Sequence, residues 1–192
     1  MKSMKVIAMA AIMIATASCK EGNKNEPGLP MSNEKHQETV SESNDTDMDN
    51  EQMAEVIFKD YFNLKDALVA SDNTRAKELG ATLATSLGNF NSSDYSQSDR
   101  QELTDIVEDA TEHAEHIAES DIKHQREHFK ILSKDMSDML AITGATMTIY
   151  EQYCPMYDNN KGGAWLSMKE EIRNPYFGDA MLTCGRVERT IN

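Results

Sequence analysis

Residues 122–140 read IKHQREHFKILSKDMSDML. Ile122, Phe129, Leu132, Met136 and Leu140 recur at helical spacing and draw one apolar stripe along a helix. Ser120-Asp121 stands before it as a start signal, and Gly144 lies near its end. Working back toward the N-terminus, Leu103, Val107, Ala110, Ala114 and Ile117 mark another helix, with Ser98 and Gln101 at capping-box spacing. Ala76, Leu79, Leu83 and Leu87 mark a third, closed by Gly88. From Gln52, Ile57, Tyr61, Leu64 and Leu68 share one face of a further helix, which Ser71-Asp72-Asn73 breaks. Four amphipathic helices with short connections predict an all-α fold, an up-down four-helix bundle spanning the domain 52–192.

Beyond the fourth helix the chain changes character. Tyr153-Cys154-Pro155-Met156 and Met181-Leu182-Thr183-Cys184-Gly185 each set a thiol beside a thioether. A polar turn (Asp158 to Gly163), the only tryptophan, Trp165, and an Asn174-Pro175 break lie between them. Residues 150–187 are expected to form an irregular Cys/Met-rich segment packed on one end of the bundle. Soft sulfur donors select soft ions such as Cu(I), so Cys154, Met156, Met181 and Cys184 form a candidate metal set. The competing reading is a Cys154–Cys184 disulfide that staples the segment in place. Met136, Met139 and Met147 are expected in the core, where methionine fills gaps.

The N-terminus carries an export signal over residues 1–18. Lys2 and Lys5 precede a twelve-residue apolar run, Val6 to Ala17, which is too short to span a bilayer. Ala17 and Ser18 stand directly before Cys19, a pattern that resembles the bacterial lipoprotein signal, in which that cysteine is lipidated. Residues 19–51 then read as a lipid-bearing tether. Most of it is Asn, Glu, Ser, Asp and Lys with no aromatic residue, so it buries too little apolar surface to order itself. His36 sits in it alone.

The formal charge of −14 disfavours nucleic acid, whose phosphates it would repel. No HExxH, phosphate loop or oriented nucleophile appears, so no enzyme is expected. His113, His116, His124 and His128 lie on the third and fourth helices. His124 and His128 are four apart and His113 and His116 three apart, spacings that can chelate an ion. In projection His113 and His128 flank the apolar stripes and could meet across a groove, while His116 turns toward solvent.

Gln125-Arg126, Phe129, Leu132-Ser133, Tyr153-Cys154-Pro155-Met156, Trp165-Leu166-Ser167, Ile172, Asn174-Pro175-Tyr176, Gly178, Met181 and Cys184-Gly185 together form a pattern. It resembles a bacterial domain family of unknown function found in Gram-negative lipoproteins. It is also similar to the extra C-terminal domain of some periplasmic adaptor subunits of copper/silver efflux pumps. The resemblance covers roughly 52–189. It implies a periplasm-facing helical domain concerned with heavy metals, chiefly copper, with Cys154, Met156, Met181 and Cys184 as the sulfur residues. The helical histidines are not part of that pattern.

The expectation is an exported protein of the cell envelope, periplasm-facing or on the outer membrane and anchored through lipid on Cys19. It would bind a copper ion in support of metal homeostasis or efflux, with a heavy-metal efflux system as partner. The alternative is a non-metal interaction module stapled by Cys154–Cys184.

Overall fold

The structure, a computed structural model, describes residues 49–192. The signal at 1–18, Cys19, His36 and the tether up to residue 48 lie outside the described residues. Four long helices follow in order: α1 (Asn50–Val69), α2 (Asn73–Gly88), α3 (Gln97–Glu119) and α4 (Ile122–Thr143). Each begins on a side chain that accepts a backbone N–H left unpaired in the first turn: Asp49, Asp72, Ser96 and Asp121. Asn50 and Glu51, expected in the tether, therefore already belong to α1. The cap of α3 is Ser96, two residues ahead of the expected Ser98, whose hydroxyl instead contacts that of Ser96.

The four stripes read from the sequence are the core. Ile57, Tyr61, Leu64 and Leu68 of α1 are fully buried, as are Leu83 and Leu87 of α2, Leu103 and Ile117 of α3, and Phe129, Leu132 and Met136 of α4. Met139 is buried with them and Met147 packs against them. Each aliphatic or aromatic side chain so placed stabilises the fold by roughly 1.5–3 kcal/mol relative to leaving it exposed. Consecutive helices pack on each other, whereas α1 and α4 touch much less.

The C-terminal part corrects two expectations, because the protein is mostly helical but not all-α. Residues 149–191 hold a three-stranded antiparallel sheet of β1 (Ile149–Cys154), β2 (Gly163–Ser167) and β3 (Arg186–Ile191), in the order β2-β1-β3. The segment is thus not irregular. Ile149, Tyr150 and Tyr153 suit a pleated, half-buried surface. Asp158, Asn159 and Asn160 all take the left-handed conformation that Asn and Asp tolerate, which turns β1 back into β2. Val187 and Ile191 are the two half-buried positions of the otherwise polar outer strand β3.

The sheet also does not sit on one end of the helices. Leu166 of β2 meets Tyr61 midway along α1, Asp158 pairs with Lys130 and Pro175 with Arg126, so the segment runs along the side of α1 and α4. The sparse contact between those two helices leaves their shared apolar seam open, and Trp165, Leu166 and Tyr176 cover it. No helix among the described residues is long and apolar enough to cross a membrane.

Candidate functional site: a paired dithiol at the end of β1

Cys154 is the last residue of β1, opposite Gly163 of β2, and is fully buried. Cys184 lies two residues ahead of β3 and is partly buried. Their sulfurs stand 3.0 Å apart, farther than the roughly 2.0 Å of a disulfide bond, and both thiols are free. Thirty residues of chain separate them, so their meeting is imposed by the fold.

Two devices bring Cys184 in. Gly185 has φ of 146°, and a Cβ there would come within 3.0 Å of both the Trp165 ring and the Tyr153 carbonyl. Only glycine lets the backbone approach the sheet so closely. The second device is Asn174, which is fully buried. Its Nδ2 donates to the Cys184 carbonyl at 2.7 Å, while its Oδ1 accepts from the backbone N–H of Tyr176 and of Phe177. Its own N–H donates to the Leu182 carbonyl. One side chain therefore fixes both limbs of the turn that carries the thiol. Sequence reasoning noted Asn174-Pro175 as a break and as part of the family-like pattern but gave the Asn174 side chain no role; its signal was an amide followed by proline inside an aromatic-rich stretch.

Aromatic rings wall the site. Tyr176 stacks on Tyr157 with ring centres 4.1 Å apart and meets Trp165 edge-on at 5.8 Å. Arg126 ties this wall to the helices, donating to the Pro175 and Leu68 carbonyls and to the Ser71 hydroxyl. Burial and the nearby Tyr61 phenol push the Tyr176 phenol well above its ordinary value, so it stays neutral.

The Cys184 thiol is pushed up to about 11, first by its hydrogen bond with Cys154, then by burial and by the charge Cys154 can carry. The Met156 backbone N–H, directed at Cys184, opposes this. Cys184 therefore keeps its proton at neutral pH, and a thiophilic ion would have to displace it on binding.

Of the four expected sulfur residues, the structure brings together the two thiols. Met156 reaches the pair through its backbone N–H; its side chain is 50% exposed and lines an open groove with Ile122, Arg126 and Phe177. Met181 is partly buried, and its carbonyl accepts the Cys184 N–H at 3.0 Å. Among the described residues, no three His, Cys, Asp or Glu side chains are grouped to hold an ion.

Of the helical histidines, His113 and His128 fall where the helical projection puts them. His113 and His128 meet across the α3–α4 groove with Nδ1 atoms 3.1 Å apart. His116, half exposed, lays its ring parallel to that of His128 with centres 4.5 Å apart. His124 is 58% exposed beside Asp121 and Glu127.

No curated protein and no solved structure matches this chain. Residues 57–148 match the model of a family described as a protein of unknown function (DUF3347). That stretch runs from Ile57 in α1 to the residue before β1, so it holds the helical core and the histidines but neither thiol. The match agrees with a domain family of unknown function and carries no statement about lipoproteins or efflux adaptors.

Proposed function

We propose that this chain is an exported protein of the cell envelope, anchored by lipid on Cys19, that binds a soft heavy-metal ion, copper(I) foremost, at Cys154 and Cys184. The single observation that carries this reading is the 3.0 Å apposition of two free thiols, one buried and one near the surface. Thiolates are the protein donors best matched to Cu(I), and a pair this close can share one ion. Met156 and Met181 flank the thiols in sequence and would complete the set as thioether donors. When bound, the ion would be stored or passed on without a reaction, and the chain is no enzyme in this reading. The helices serve as an up-down bundle that presents the dithiol toward the periplasm or from the outer membrane. A heavy-metal efflux system is the partner that would accept the ion; the acidic surface offers nothing to nucleic acid.

A second reading rests on the same distance. Closing the sulfurs from 3.0 Å to about 2.0 Å would form a disulfide, which makes the chain a stapled interaction module without a metal. Alkylation of the protein as it stands in the envelope separates the two. The metal reading predicts thiols that label with a maleimide and are shielded by added Cu(I). A chain two protons lighter, with no labelling before reduction, would overturn it.

A further inference from the structure

His113 and His128 lie seven residues to either side of the Ser120-Asp121 connection, since 120 − 113 and 128 − 121 are both seven. In an antiparallel helix pair, equal distance from the turn means equal height, and both side chains edge the stripe that faces the groove. The result is an Nδ1–Nδ1 separation of 3.1 Å. At this distance, with metal–nitrogen bonds of about 2.0–2.1 Å, an ion held by both nitrogens subtends an N–metal–N angle of roughly 100°. That lies between the right angle of a square-planar site and the tetrahedral angle, so the pair is set for a cis chelate without moving either helix.

We propose that His113 and His128 form a second metal site, a two-nitrogen chelate for a borderline divalent ion such as Cu(II) or Zn(II). Imidazole nitrogen suits these ions, and among them Cu(II) is bound tightest by a given nitrogen site. The site shares no donor with Cys154 and Cys184 and does not depend on the reading given to them. In the metal-free pair, one Nδ1 carries the proton of the contact and the other accepts it. Binding asks only that this proton move to Nε2 of the same ring, leaving both rings neutral and both Nδ1 lone pairs on the ion. Burial, followed by repulsion from the neighbouring histidines, lowers His128 below the ordinary imidazole range; burial also lowers His113, against Glu112 and Asp109. His116 covers one face of His128 by stacking, and Glu112 and Glu127 place negative charge nearby for a dication. Two nitrogens leave the remaining positions to water, which describes an exchangeable site rather than a structural one.

The test is a titration of the full chain carrying Cys154→Ser and Cys184→Ser with Zn(II), and separately with Cu(II), read by calorimetry. One equivalent is expected to bind. His113→Ala and His128→Ala should each weaken it by at least the roughly 10- to 100-fold that loss of an outer-shell partner costs a metal site. His124→Ala should leave it unchanged. Without any substitution at histidine, the Nδ1 nitrogen resonances of His113 and His128 should move on addition of Zn(II), with those of His124 fixed. Affinity unaltered by both alanine variants, or Nδ1 resonances unmoved at saturating Zn(II), would overturn the proposal.

Discussion

The Tyr61 hydroxyl, in the middle of α1, shares a 2.8 Å hydrogen bond with the Ser133 hydroxyl of α4 and at the same time accepts the Leu166 N–H of β2 at 3.1 Å. One buried atom thus joins two helices to the sheet that carries Cys154. Burial pushes this phenol far above the usual tyrosine range, so it acts as a neutral hydrogen-bonding hub. Tyr61→Phe keeps the ring stack on Phe129 but strands the Leu166 N–H. An unsatisfied buried donor costs about 1–3 kcal/mol, and urea unfolding should show a loss of that size. An unchanged midpoint would mean that the sheet is held by its apolar contacts alone.

The four helices were legible because their stripes keep the 3.6 period, and Tyr61 stands on one of those stripes, whereas Ser133, a buried polar residue beside Leu132, does not. The sheet was less legible. Its strands are only five or six residues long, and Trp165 and the cysteines draw attention to side-chain chemistry rather than to period. The signals were present in Ile149-Tyr150, in the Asp158-Asn159-Asn160 turn and in the alternation of Arg186-Val187-Glu188. The meeting of Cys154 with Cys184 followed from sulfur chemistry. What fixes it, the glycine at Gly185 and the Asn174 amide, depends on contacts that no local pattern encodes. The His113–His128 contact was legible from helical projection, since both positions depend on period alone.

Gly80 and Gly88 make a contrasting pair on one helix. A Cβ at Gly80 would lie 2.9 Å from the Ala114 carbonyl oxygen and 3.0 Å from the Ala118 nitrogen, both backbone atoms of α3. Gly80→Ala must push α2 and α3 apart and should cost about 1–3 kcal/mol despite the better helix propensity of alanine. At Gly88 nothing lies within 4 Å, so Gly88→Ala should stabilise by about 0.4–1 kcal/mol through the unfolded chain. Thermal melts of the two variants should shift in opposite directions.

Asp135 is buried on α4 with one carboxylate oxygen unpartnered. Burial, reinforced by Asp109, raises it from the ordinary 3.8 to about 6. Because the folded state holds the proton more tightly than the unfolded one, this group favours folding most below about pH 4 and loses that contribution as pH rises through 6. Asp135→Asn, which stays neutral, should therefore be more stable than the parent at pH 7 by on the order of 1 kcal/mol, and the gain should vanish near pH 4. A gain independent of pH, measured by urea unfolding at both values, would contradict this.

Asn174 touches Cys184 only through the backbone carbonyl, so it acts on the site by placing the thiol. Asn174→Ala leaves both thiols present but frees the turn between Leu182 and Gly185. Copper(I) affinity should fall by about 10- to 100-fold, the range for supporting residues around a metal site, while the stoichiometry stays at one. Asn174→Asp, which keeps the two N–H acceptor contacts and loses only the donor to Cys184, should fall between the two. Equal affinity in all three would assign Asn174 to folding alone.

The most direct measurement is a competition titration of the reduced full chain with Cu(I) against a chelator of known affinity, repeated on the Cys154→Ser, Cys184→Ser double variant. One equivalent bound tightly by the parent, and lost from the high-affinity range in the double variant, is the predicted result. Equal retention by both chains would contradict a copper site built on the dithiol.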